Sequence, residues 1–122
     1  MLCLSFVIPK NINVNASEGM KATISNLKPV YIQNIYFIGN NQITLIIPPN
    51  YKLRHIHPFS FLSPSGEQLI HLIPQSMDSS QSVIKINLRA PLSEKGTYKI
   101  EFVGVENNTS EELSLIGELN LT

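Results

Sequence analysis

The sequence has a single cysteine and no tryptophan in 122 residues. One thiol closes no disulfide within the chain, so a disulfide scaffold and a cysteine-based zinc site are excluded. Charge of one sign is also missing: nine Lys and Arg offset nine Asp and Glu, for a formal net charge of zero. A nucleic-acid surface needs a cationic excess, and so does attraction to an anionic membrane, so neither partner is expected. No apolar run is long enough to span a bilayer, so no membrane insertion is expected. Helical periodicity is absent along the chain. There is no glycine-rich phosphate loop, no nucleophile elbow and no spacing that unites a nucleophile with a base or one carboxylate with another. The expectation is therefore no enzymatic activity and no cofactor.

What is there is apolar. Hydrophobic residues make up 43% of the chain and charged residues 15%, the balance of a chain that buries a core and the opposite of a disordered one. The length suits one domain over residues 1–122, either complete or a soluble fragment of a larger or anchored protein. Residues 1–9 are apolar but lack the cationic start and small-residue cleavage site of a secretory leader. They read as a first strand, as the start of a fragment, or as the stub of an anchor.

Short apolar runs follow one another at roughly 8–12 residues, the spacing of a sandwich or barrel. Strands are expected over residues 11–14, 20–27, 30–38, 42–47, 56–62, 68–73, 83–88, 97–103 and 113–121. Gly39-Asn40-Asn41 marks one hairpin turn and Pro64-Ser65-Gly66 another, the second with Gly66 left-handed. Residues 50–54, 74–82 and 106–112 read as loops. The expected core is Ile24, Ile35, Phe37, Leu45, Ile47, Phe61, Leu69, Ile84, Ile86, Leu88, Tyr98, Ile100 and Phe102.

The stretch Leu92-Ser93-Glu94-Lys95-Gly96-Thr97-Tyr98-Lys99-Ile100 resembles the loop-to-strand corner of immunoglobulin-like domains. The resemblance implies an all-β, antiparallel β-sandwich of seven to nine strands in two sheets. Gly96 and Tyr98 would form its structural corner, with the tyrosine hydroxyl bonded back to the preceding loop. Ile100 stands where antibody-type domains keep a cysteine, so the likeness is to disulfide-free members. Ile43-Thr44-Leu45, residues 59–67 and Gly96-Thr97-Tyr98 are also similar to the periplasmic copper-binding sandwich of the CopC type. The stretch Val105-Glu106-Asn107-Asn108-Thr109 lacks the histidine and aspartate of that family, and its N-terminal histidine is absent too.

Three side-chain groups are candidates for function. His55 and His57 share one side of an extended segment. If Ser63 pairs Glu67, His71 falls opposite Phe59, beside His57 on the same face, a set that suits Cu or Zn. That set carries the alternative reading, a periplasmic-type metal-binding protein. Leu113, Leu115, Leu119 and Leu121 share one face of the last strand, with Ile116 on the other. That strand and residues 11–14 are the expected sheet edges, open to a protein partner or to self-association as a homodimer. The sequons at Asn15, Asn107, Asn108 and Asn120 lean towards a place outside the cytoplasm. The main reading is a non-catalytic interaction module of a cell-surface, appendage or virion protein, which binds a protein partner through loops or an edge strand.

Overall fold

The computed structural model describes residues 26–80 and 82–122. The expected strands at residues 1–9 and 11–14, most of the one at 20–27, Ile24 and the sequon at Asn15 lie outside that range. Nine strands are described: β1 (Lys28–Tyr31), β2 (Asn34–Ile38), β3 (Gln42–Ile46), β4 (Tyr51–Leu53), β5 (Ser60–Leu62), β6 (Asp78–Ser80), β7 (Val83–Asn87), β8 (Gly96–Glu106) and β9 (Glu112–Leu121). They form two sheets, and every pairing but one is antiparallel. The larger sheet runs β1-β9-β8, with β4 and β5 following one another end to end along the far edge of β8. The smaller runs β2-β3-β7-β6. The exception is β1, which lies parallel to β9 with Lys28 opposite Leu113 and Tyr31 opposite Ile116. The fold is an all-β sandwich.

Alternation builds the core. Strand side chains repeat every two residues, so Ile84 and Ile86 of β7 point inward while Lys85 and Asn87 point out. On β8 the inward set is Tyr98, Ile100 and Phe102, all buried. From β3 come Ile43 and Leu45, from β9 Leu113, Leu115, Leu119 and Leu121, and from β5 Phe61, all in one cluster. Tyr98 ties the two sheets together. Its ring stacks on Phe61 of its own sheet at 5.8 Å between centroids and meets Phe37 of the opposite sheet edge-on at 5.4 Å. Each contact is an arrangement that the ring quadrupole favours. Of the expected core, Ile35, Phe37 and Leu69 are half-buried and pack against the cluster from its margin.

Four expectations for local structure are corrected. The run 30–38 is not one strand. Ile32 still donates its backbone N–H to Ile116 of the larger sheet at 2.8 Å, and two residues later Asn34 enters the smaller sheet opposite Ile46. The inward phase slips with the crossing, from Ile32 to Ile35 and Phe37, which a strand confined to one sheet cannot do. Two segments read as loops contain strands, β4 and β6. Both are three-residue edge strands, too short for a pattern to emerge. Finally, residues 68–73 do not continue the hairpin. Leu62 bridges Gln68 in the expected register, and Ser63 N–H donates to Glu67 at 2.9 Å. Ile70–Leu72 then closes into a 3₁₀ turn, which drops Ile73 into the core.

Candidate interaction surface

The histidines sit around the break between β4 and β5. Seven steps from Leu53 to Ser60 face three from Gly104 to Glu101, so four residues are looped out of the ladder. Those residues are His55, Ile56, His57 and Pro58. His55 is exposed. His57 turns back onto the chain, with Nδ1 3.0 Å from the Pro58 carbonyl oxygen and Nε2 3.3 Å from that of Ile73. Carbonyl oxygens only accept, so each ring nitrogen is directed at an acceptor and neither faces open space. His71 is exposed on the 3₁₀ turn. The turn takes it off the strand face on which the hairpin register would have set it beside His57. Among the described residues no three His, Cys, Asp or Glu side chains gather closely enough to hold one ion.

The corner segment is well tied. Tyr98 hydroxyl donates to the Glu94 carbonyl oxygen at 2.6 Å. Burial pushes its phenol above the usual range, and the nearby Glu94 carboxylate adds to the rise. Gly96 has φ +126°, and a β-carbon there would stand 3.0 Å from Cβ of Pro64. The corner is thus locked against the β5 hairpin. Between β8 and β9, residues 107–110 are exposed, and the Asn107 amide donates to the Pro49 carbonyl oxygen at 3.2 Å. Asn120 is exposed on β9. On the flank between β4 and β7, a groove of about 430 Å³ is lined by Ile47, Leu53, Ile56 and Ile84, with Lys52 and Arg54 at its rim. Arg54 is engaged there by Glu112 at 3.0 Å. No helix among the described residues is long and apolar enough to cross a membrane.

The leucines of β9 are placed differently from expectation. Leu113, Leu115, Leu119 and Leu121 lie in the core, with Leu115 wholly buried and Leu119 1% exposed. Residues 113–116 are also paired on both sides, by β8 and by β1. The apolar face that suggested a partner is therefore met by the chain's own second sheet. The reason is the rule of alternation itself: it shows that a face is covered but not by what.

The described sheets have other open sides, and nearly all carry a device against pairing. An exposed edge offers unpaired N–H and C=O groups to any passing strand, and natural proteins blunt it with charge, proline or brevity. β1 has Lys28 and Pro29, and β9 beyond Ile116 has the exposed Glu118. β4 is three residues long with Lys52 at its centre, and β6 is three residues with Asp78. The open side of β5 is occupied by Gln68, whose Oε1 accepts from Phe61 N–H at 2.7 Å. β2 has none of these. Its five residues, Asn34-Ile35-Tyr36-Phe37-Ile38, include no charge, no proline and no glycine. Among the described residues it pairs on one side only, with β3. Outward from it point Tyr36 and Ile38, each 49% exposed, while Ile46 of β3, 37% exposed, lies opposite Asn34. The sequence carried this signal in its uncharged aromatic run, but only the crossing at residues 32–34 makes that run an edge. Compared with protein-family models, with curated proteins and with solved structures, the chain matches none.

Proposed function

We propose that the chain is a non-catalytic interaction module, an immunoglobulin-like sandwich that binds a protein partner through the open edge of β2. The observation that carries this reading is that, among the described residues, that edge carries no protective device. An uncharged, aromatic, five-residue edge is an aggregation hazard if left bare, and a binding site if it is matched. Strand addition supplies main-chain hydrogen bonds for affinity, and the outward Tyr36 and Ile38 supply side-chain selectivity. The immunoglobulin-like part of the reading is supported by the Tyr98 bond to Glu94 and by the strand order β2-β3-β7-β6 opposite β1-β9-β8. The exposed sequons at Asn107 and Asn108 support a place outside the cytoplasm, on a cell surface, in an appendage or on a virion.

A photo-reactive phenylalanine analogue at position 36 tests the reading in the native source. Position 97, exposed on the outer face of the larger sheet, is the control. A discrete protein adduct from position 36 and none from position 97 is the expected result. No adduct from 36, or the same adducts from both, refutes the proposal.

A further inference from the structure

We infer that the turn between β8 and β9 is an acceptor site for an N-linked glycan, and that Asn108 is the residue that takes it. This rests on the place outside the cytoplasm proposed above and goes beyond it by assigning the acceptor atom. Two sequons overlap in the turn, Asn107-Asn108-Thr109 and Asn108-Thr109-Ser110, and a third, Asn120-Leu121-Thr122, runs off the end of β9. The pattern makes all three acceptors. The bonds around them do not treat the three alike.

An acceptor offers two groups at once, the Asn amide nitrogen and the hydroxyl two residues on. Resonance draws the nitrogen lone pair into the carbonyl, so the side-chain amide has to be free to twist before it reacts. At Asn107 both groups are engaged. Its Nδ2 donates to the Pro49 carbonyl oxygen at 3.2 Å, and its backbone N–H donates to that of Asn50 at 3.0 Å. The hydroxyl of its sequon is that of Thr109, which donates to Glu106 Oε1 at 2.8 Å and accepts from Glu111 N–H at 3.2 Å. At Asn120 the obstacle is the ladder. Residue 120 pairs with Thr97, whose hydroxyl donates to Asn120 Oδ1 at 3.4 Å, and Leu121, the middle residue of the sequon, is 8% exposed in the core. Lifting that sequon out means opening the sheet. Asn108 and Ser110 are both exposed, and neither side chain bonds any described residue. The turn is shaped by their neighbours and by the Ser110 backbone, which has φ +60° and closes on the Glu106 carbonyl oxygen at 2.8 Å. A bulky, hydrated substituent at Asn108 therefore breaks no bond of the fold.

The donor class is an oligosaccharide on a lipid diphosphate. The bond from its anomeric carbon to the diphosphate oxygen breaks, and the electron pair leaves on the diphosphate. The same carbon bonds to Asn108 Nδ2, and the amide proton it replaces passes to a base of the transferase.

The test uses the whole chain, secreted from a eukaryotic cell line behind a cleavable leader. Asn15→Gln is included so that only the three sequons above are read. Intact mass before and after peptide N-glycosidase should differ by one glycan, and release in heavy-oxygen water should leave labelled aspartate at position 108. Asn108→Gln should lose the glycan. Ser110→Asn should lose it too, since it removes the hydroxyl while asparagine accepts the left-handed backbone. Asn107→Gln and Asn120→Gln should keep it. A bare parent overturns the inference, as does a glycan that survives Asn108→Gln or Ser110→Asn. The readings it rests on fail separately: a chain bare in its native source but glycosylated at Asn108 here removes the place outside the cytoplasm and leaves the acceptor, and an empty probe at position 36 removes only the β2 edge.

Discussion

Tyr98 shows how one side chain can hold a sandwich together. Its ring is buried between Phe61 and Phe37, and its hydroxyl reaches the Glu94 carbonyl oxygen from a partly buried position. Tyr98→Phe keeps the ring contacts and removes one hydrogen bond, so it should cost about 1 kcal/mol in chemical denaturation. The same residue sets a pH dependence. Its phenol is held above the ordinary value of 10.0 in the folded chain, so the folded state keeps that proton more tightly than the unfolded one. Its contribution is complete below the ordinary value and is lost as pH rises through the folded one. The thermal midpoint of the parent should therefore fall more steeply than that of Tyr98→Phe in alkaline buffer. Two residues away, Gly96 combines φ +126° with a close approach to the stiff ring of Pro64. Gly96→Ala meets both obstacles, and a loss of about 1–3 kcal/mol in denaturant melts is expected.

At the scale of elements, the fold depends on where strands change sheets and where they break. β1 and β2 are one apolar run divided between two sheets, and the division lets β2 lie across from β9. There Gly117 leaves room for Ile35: a β-carbon at 117 would overlap Ile35 Cδ1. Gly117→Ala should cost about 1–3 kcal/mol through overpacking. Ile35→Val removes the obstructing methyl group, so the same glycine substitution should cost less in that background. A double-mutant cycle on denaturation midpoints reads the difference, and additive costs would show that the two residues do not meet. The edge formed by β4 and β5 is broken instead by four looped-out residues, and Pro58 at the end of that loop is fully buried. This break separates His55 and His57 from a regular strand face and leaves His57 directed at two carbonyl oxygens.

At the scale of the whole molecule, the two sheets close over the leucines of β9. Leu119→Lys is therefore no test of an edge: Leu119 is 1% exposed in the core, and a charge there would unfold the chain before it reported on any partner.

Much of this was legible in the residues alone, wherever the cause is local. Alternation in residues 83–88 and 97–103 places Ile84, Ile86, Tyr98, Ile100 and Phe102 inside, because a pleated strand sends successive side chains to opposite faces. Pro64 and Gly66 set the hairpin register, because a left-handed residue in a short loop fixes which residues pair. The three-residue strands β4 and β6 were beyond it: their backbones are extended by neighbours distant in sequence, Gly104 to Glu106 for one and β7 for the other. So was the meaning of the leucine face on β9, because a buried face looks the same in sequence whether a second sheet or a second chain covers it. The edge itself was decided last. Residues 30–38 carry the apolar character of β2 and even the slip of phase at residues 33–34. That β2 has one open side among the described residues follows only from the sheet order, which depends on long-range pairing that no local pattern encodes.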